Sequence, residues 1–156
     1  MKAWASVSVI VIIAFGLASC ADTETREQKF ANIRLAAQKG NAVAQYNLGL
    51  MYEQGYGVTP DMRKAAAWFE KAAENGEANA QYRLGFLYYQ GQGVPKDLQR
   101  AAEWYKKAAE QGSTPAQTAL GNMYLLGEGV PRDSSKAAYW HKKSLRLKNH
   151  AGFTRD

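Results

Sequence analysis

Apolar positions along this chain recur at helical spacing. Ala44, Leu48 and Tyr52 fall at i, i+4 and i+8, one face of a helix, and the same face returns as Ala80, Leu84, Tyr88 and as Ala116, Leu120, Tyr124. A second stripe comes after the first, marked by Ala65, Phe69, Ala72 and Ala73. Between the two stripes stands Gly55-Tyr-Gly-Val58, returning as Gly91-Gln-Gly-Val94 and Gly127-Glu-Gly-Val130. The interval is 36 residues throughout, and 20 of the 36 positions in 41–76 are identical in 77–112. A fixed period of this size is the signature of stacked structural repeats.

Each unit therefore predicts two helices. The Gly-x-Gly-Val turn ends the first, because glycine accepts the left-handed conformation at the end of a helix. Pro95 and Pro131 stiffen the loop. Asp61, Asp97 and Asp133 are placed to cap the second helix, and Gly76 and Gly112 end it. Gly49, Gly85 and Gly121 fall inside the first helix, where glycine costs roughly 0.5–1 kcal/mol relative to alanine. A cost accepted three times predicts close approach of a neighbouring helix, with the alanine pairs 65–66, 101–102 and 137–138 as the expected partners. Leu35-Ala-Ala-Gln-Lys-Gly40 aligns with Lys71-Ala-Ala-Glu-Asn-Gly76, so roughly 25–39 is expected to form a lone helix of the second type. At the far end Ser144, Leu145 and Lys148 replace Ala, Ala and Gly, as a terminal cap does. The expected fold is all-α, a superhelical α/α solenoid over 26–148 with repeats 41–76, 77–112 and 113–148, a preceding half-repeat, and a loose tail at 149–156.

The spacing Ala-x-x-x-Leu-Gly-x-x-Tyr, Gly-x-Gly-Val, Asp, Ala-Ala-x-Trp and Lys-Ala-Ala-x-x-Gly at this period resembles the Sel-1-like repeat (SLR) family, a relative of the tetratricopeptide repeats. The resemblance implies a right-handed superhelix used mainly to bind proteins. Some bacterial members are cysteine-rich and have been described as penicillin-binding or weakly β-lactam-cleaving. Their cysteine pairs are absent here, so that activity is not carried over.

The first twenty residues stand apart. Lys2 precedes a run from Val7 to Leu17 that is apolar except for Ser8, too short to span a bilayer comfortably. A positive start, a short apolar region and small residues at its end read as a secretory signal. Leu17-Ala18-Ser19-Cys20 resembles the lipobox of bacterial lipoproteins, which implies cleavage before Cys20 and lipid on its sulfur. Cys20 is the only cysteine, so no internal disulfide exists, and acylation explains an odd thiol in an exported protein. The competing readings are an uncleaved anchor or a plain signal with an incidental cysteine. Residues 20–25 would tether the fold to a membrane without spanning it. Ala21 after the cysteine favours the outer membrane over the inner one, facing the periplasm. Removing 1–19 takes away one of 20 basic residues and none of 14 acids, leaving +5. That excess suits acidic partners or anionic headgroups. Basic residues spread along the repeats of an exported chain are no nucleic-acid signature.

Catalytic signals are sparse. His141 and His150 are the only histidines, and no His/Asp/Glu spacing suggests a metal site or a cofactor. Ser134 and Ser135 beside Asp133 read as a helix start rather than a nucleophile. Gly-x-Gly-Val lacks both the preceding strand and the subsequent Gly-Lys-Ser/Thr of a phosphate loop.

The residues that vary between repeats lie on one face of the first helix: Tyr46, Asn47, Leu50 and Glu53 in unit one; Tyr82, Arg83, Phe86 and Tyr89 in unit two; Thr118, Ala119, Asn122 and Leu125 in unit three. In solenoids such a face forms an extended binding surface. Tyr and Arg are enriched in interface hot spots, and Tyr82, Phe86 and Tyr89 form a stripe at i, i+4, i+7. The alternative for the aromatics is packing against the neighbouring repeat. Lys142, Lys143, Arg146 and Lys148 make a second, basic surface on the last helix, read first as a solvated polar cap and otherwise as a surface for headgroups or an acidic partner. The expected function is a non-enzymatic protein-binding scaffold anchored in the bacterial envelope. A sharper form is an immunity protein that neutralises a secreted envelope-targeting effector such as a phospholipase. The competing classes are a hydrolase of β-lactams or peptidoglycan and a structural part of a secretion assembly.

Overall fold

The computed structural model describes residues 26–151, with side chains through residue 146. The stretch expected to be a leader at 1–19, the expected lipidation site Cys20, the expected tether at 20–25 and residues 152–156 of the expected tail lie outside the described residues. The chain is helical at 26–38, here α1. Next come α2 (Ala42–Gln54), α3 (Met62–Glu74), α4 (Ala78–Gln90), α5 (Leu98–Glu110), α6 (Thr114–Leu126) and α7 (Ser134–Ala151). The described residues contain no strand. Consecutive helices pack in order, α2 on α3, α3 on α4, and so on to α7. The hairpins α2–α3, α4–α5 and α6–α7 are the three repeats, and α1 is the preceding half-repeat.

The sequence explains how the helices begin and end. Asp61 Oδ1 accepts from the backbone N–H groups of Arg63 and Lys64 at 3.0 and 3.1 Å. Asp97 caps Arg100 N–H at 3.0 Å and Asp133 caps Lys136 N–H at 2.9 Å. These bonds hold the Asp61 and Asp133 carboxyls below the usual carboxylate range, the backbone N–H of Lys64 or Lys136 being the main cause in each. Gly55, Gly91 and Gly127 close the first helices at φ 72°, 75° and 76°, a conformation that costs a non-glycine residue strain. The loop then returns to its own helix, since the N–H of Asp61, Asp97 and Asp133 donates to the carbonyl of Tyr52, Tyr88 and Tyr124 at 2.8–2.9 Å.

From α3 to α7 the core is one strip of small and medium side chains, while Ala37, Ala44 and Leu48 form a separate cluster beneath α1. Ala65, Phe69, Ala72, Ala80, Leu84, Leu87, Ala101, Ala108 and Ala116 are fully buried. The mid-helix glycines do admit a neighbour, but it is a ring rather than the alanine pairs. A Cβ on Gly49 would stand 2.6 Å from the Phe69 ring, and one on Gly85 would stand 2.8 Å from the Tyr105 ring. At Gly121 the corresponding ring is His141. The physical reason is register. The position three to four residues beyond each alanine pair carries the large side chain that fills the hairpin, and the glycine is the socket for it. At Gly85 the alanine pair contributes as well, through the Ala101 carbonyl at 3.2 Å.

A second device links the repeats. Gln45, Gln81 and Gln117 are buried. Each donates its side-chain amide to a carbonyl in the last turn of the preceding helix: Ala37 at 3.2 Å, Ala73 at 3.1 Å and Ala109 at 3.0 Å. In the first two units the Gln oxygen is in turn satisfied by Asn75 at 2.8 Å and Gln111 at 2.7 Å. The third unit has leucine at the corresponding position 147 of the sequence, and Gln117 Oε1 is buried with no partner among the described residues.

Unit three also lacks the terminating glycine, having Lys148 where units one and two have Gly76 and Gly112. Those two adopt φ 87° and 93° and stop their helices, whereas α7 continues through Ala151, three residues into the stretch expected to be a loose tail.

Candidate functional site

The A-type helices α2, α4 and α6 place the variable side chains, because the buried Ala-x-x-x-Leu stripe fixes which way each helix faces. Between α4 and α6 opens a hollow of about 350 Å³. Tyr82, Phe86, Tyr89, Asn122, Leu125 and Leu126 form its walls, Tyr105 and Met123 reach it from the core, and Glu128 stands at its end. It continues past Thr114, Pro115 and Thr118 into a shallower second hollow that shares Tyr82, Ala119 and Asn122. Leu125 and Leu126 are 44% and 63% exposed, a solvent-facing apolar rim with no packing reason to be leucine.

The polar groups of this face have assigned partners. Tyr89 donates its hydroxyl to Glu128 at 2.8 Å, and that bond to a carboxylate is the main reason its pKa is raised. Arg83 reaches back to Glu53 of the preceding repeat with a forked pair of bonds at 2.9 Å from Nη2 and a third at 3.3 Å from Nε. The Arg83 guanidinium also lies 5.9 Å from the Phe86 ring centroid. Asn122 Oδ1 pairs with His141 Nε2 at 3.0 Å.

Of the side chains singled out by sequence, Tyr82, Phe86, Tyr89, Asn122 and Leu125 converge on the one groove. Asn47 and Leu50 line a separate hollow of about 320 Å³ with Lys29, Ile33, Met51 and Tyr56. Glu53 and Arg83 form the strap between the two. Tyr46 and Tyr82 are half-buried and pack on the B-helix ring of their own repeat, Phe69 and Tyr105, with centroids 5.7 Å apart in both cases. Burial raises the pKa of Tyr46, and more strongly that of Tyr105. Thus Tyr46 supports the hairpin, while Tyr82 does so and also walls the groove.

Sequence reasoning passed over Glu128 and its counterpart Tyr56. Both occupy the middle of Gly-x-Gly-Val, the one position of that tetrapeptide that differs between repeats. Two left-handed glycines aim it back along the A-helix face, so variation there was the available signal. Ser134 and Ser135 lie in the first turn of α7, exposed, next to the capping Asp133. Among the described residues no cluster of His, Cys, Asp and Glu is arranged to hold a metal. No described helix is long and apolar enough to cross a membrane.

Stacked helical hairpins with a constant interior and a variable outer face define an α-solenoid repeat protein. Within that class the chain belongs to the Sel1 repeat family, which matches residues 42–77, 78–113 and 114–149. A sel1-like repeat-containing protein of Acanthamoeba polyphaga mimivirus is 45% identical over 40 residues, 26% of this chain and 7% of that protein. The crystal structure of a protective antigen from uropathogenic Escherichia coli, displaying an SLR fold, is 41% identical with a TM-score of 0.73, over 76% of this chain and 25% of that one. A Sel1 repeat protein from Oxalobacter formigenes is 36% identical with a TM-score of 0.75, over 78% and 50%. The chain thus spans half or less of the length of these relatives.

Proposed function

We propose that this chain is a non-catalytic docking scaffold, held to a bacterial envelope membrane by lipid on Cys20, whose α4–α6 groove receives an apolar segment of a protein partner. Sel1 repeats mediate protein–protein binding in general. The observation that carries the particular reading is the Leu125–Leu126 rim beside Tyr82, Phe86 and Tyr89. It is apolar, outward-facing and specific to its position, whereas the residues that build the fold repeat three times. An aromatic-walled cleft with one carboxylate at its end suits an aliphatic or aromatic anchor next to a hydrogen-bond donor. Two acyl chains or more on Cys20 would hold the scaffold stably at the surface, at about 0.8 kcal/mol per buried CH₂.

A sharper form of this reading is an immunity protein that blocks a secreted envelope-targeting effector. One compact binding module with an anchor suits stoichiometric inhibition, where nothing but occupancy is needed. The test has two arms. Metabolic labelling with a radioactive fatty acid should mark the wild-type chain and leave Cys20→Ala unlabelled; labelling of both, or of neither, removes the anchor. Envelope proteins captured on wild-type chain should be lost on Leu126→Asp at unchanged melting temperature, and an effector among them should lose toxicity when the wild-type chain is co-expressed. Capture indifferent to Leu126→Asp moves the interaction away from the groove. A purified chain that hydrolyses a chromogenic β-lactam, and stops on a single side-chain change, replaces the scaffold with an enzyme.

A further inference from the structure

The outer side of α7 is built unlike the outer sides of α3 and α5. In the first two repeats the side of the B helix that meets the next A helix is closed. Ala66 and Ala73 of α3 are each 2% exposed beneath α4, and Ala102 and Ala109 of α5 are 4% and 0% exposed beneath α6. The corresponding positions of α7 are Ala138, which is exposed, and Leu145, which is 57% exposed. A terminal helix that merely closes a solenoid turns a polar face to solvent. Here the inner alanine is retained, the outer one is enlarged to leucine, and Tyr139, also 57% exposed, stands where α3 and α5 carry Ala67 and Glu103.

The charges change in the same direction. Glu70 and Glu74 of α3, and Glu110 of α5, give way to Lys142 and Arg146, and α7 contains no acidic residue. Lys143 lies over the Trp140 ring at 5.1 Å, as Lys71 and Lys107 lie over Trp68 and Trp104, so it belongs to the repeat and the cations beside the strip are Lys142 and Arg146. An apolar strip at i, i+7 bordered by cations on a helix is complementary to an amphipathic helix bordered by acids.

We propose that the outer face of α7 is a second docking site, which takes an acidic amphipathic helix of a partner protein in the way α3 takes α4 and α5 takes α6. The internal repeats supply the template, since they show what covers this face when it is covered. A second copy of this chain fits less well. Its other described end presents α1, a helix of the α3/α5 type rather than the α4/α6 type the template requires, and a symmetric α7–α7 pairing brings Lys142 and Arg146 of both copies together. The site is independent of the α4–α6 groove and does not rest on the groove's role.

The probe is a lactam-bridged helical peptide of about 15 residues, with Leu and Ala at i, i+3, i+4 and i+7 and Glu on both flanks. Its counterpart has Lys in place of every Glu. Fluorescence anisotropy with the full chain should show binding of the acidic peptide at least tenfold tighter than the basic one, weakening with added salt. Leu145→Asp and Ala138→Glu, both at solvent-facing positions, should each weaken it tenfold or more. Lys142→Glu should shift preference towards the basic peptide, so the charge argument is tested even where an apolar variant folds poorly. Leu126→Asp should change nothing, which separates this face from the groove. The proposal fails if the two peptides bind alike or neither binds. It also fails if the chain sediments as a dimer that Leu145→Asp dissolves, which would put a second copy on the face. Phosphatidylglycerol vesicles that bind the chain, release it on Leu145→Asp and are not competed by the acidic peptide would assign the face to lipid and overturn it as well.

Discussion

The buried glutamines allow one comparison in which the same substitution should have opposite outcomes. Gln81→Leu removes two hydrogen bonds, to the Ala73 carbonyl at 3.1 Å and from Gln111 at 2.7 Å. At about 1 kcal/mol each, the loss is about 2 kcal/mol. The Ala73 carbonyl keeps the N–H of Gly76, so no orphan acceptor adds to this. Gln117→Leu removes one bond, to Ala109, but it also removes an oxygen that is buried without a partner. An unsatisfied buried acceptor costs about 1–3 kcal/mol, so its deletion offsets the lost bond or exceeds it. Leucine is close to glutamine in volume, which keeps cavity terms small in both. The two variants should therefore differ by at least about 2 kcal/mol, Gln81→Leu being clearly destabilised and Gln117→Leu neutral or better.

Urea titration monitored by circular dichroism measures this directly, with equal slopes required for the comparison. In thermal melts the separation should be at least roughly 8 °C, at about 4 °C per kcal/mol for a domain of this size. Restoring the missing donor provides a cross-check. Leu147→Gln should stabilise the wild-type chain, and the Gln117→Leu change made on top of it should then cost as much as Gln81→Leu. Equal losses for the two glutamines in the wild-type background would refute the reasoning. They would mean that the glutamines act by filling space and that the ladder of amides contributes little.

Gly85→Ala should destabilise by about 1–3 kcal/mol despite the better helix propensity of alanine, because the new methyl meets the buried Tyr105 ring and the Ala101 carbonyl; a chain that melts higher would show that the ring can yield. Acid should act through the capping carboxylates of Asp61 and Asp133. Their folded pKa values are depressed below the ordinary 3.8, so their contribution is present above that pH and is lost as pH falls through the lower folded values. Melting temperature should hold down to about pH 4 and then drop, less steeply in an Asp61→Asn, Asp133→Asn double variant; identical profiles would remove the caps from the account. A double-mutant cycle on Glu53→Gln and Arg83→Met should return a coupling of about 1 kcal/mol that shrinks in high salt, since the pair is forked but partly solvated. A coupling of zero would make the strap incidental.

The 36-residue period carried nearly all of the architecture, because stacked repeats place the same side chain in the same environment each time. Capping aspartates, left-handed glycines and the buried Ala-x-x-x-Leu stripe were legible one residue at a time. The identity of what fills each glycine socket was not. It depends on the offset between two packed helices, and a helical wheel drawn for one helix holds no such information. The glutamine ladder was visible as an unvarying letter in Ala-Gln-Tyr and Ala-Gln-Thr. Its meaning was hidden because a polar residue beside an apolar stripe reads as surface until the preceding helix is in place. On the variable face, the sequence pattern picked out residues that line the two hollows. It could not show that Glu53 and Arg83 satisfy each other across repeats, nor that Tyr46 leans inward onto Phe69.

These differences bear on how the third hairpin works. In units one and two a ring fills the glycine socket, two amides clamp the preceding helix, and the next A helix covers the B helix. Unit three has an imidazole in the socket, one amide bond instead of two among the described residues, and an α7 that no described helix covers. Stability in a solenoid is close to a sum over units and their interfaces, so losses of this kind concentrate locally instead of spreading along the stack. The least supported hairpin is then also the one that carries the Leu125–Leu126 rim on α6 and the basic, apolar outer face on α7. A ligand that binds the folded hairpin stabilises it by mass action, and the gain is largest where the unliganded unit opens most readily. The hairpin that exposes side chains for docking is therefore also the one with the least internal support, and a bound helix on α7 would return the cover that α4 and α6 give to α3 and α5.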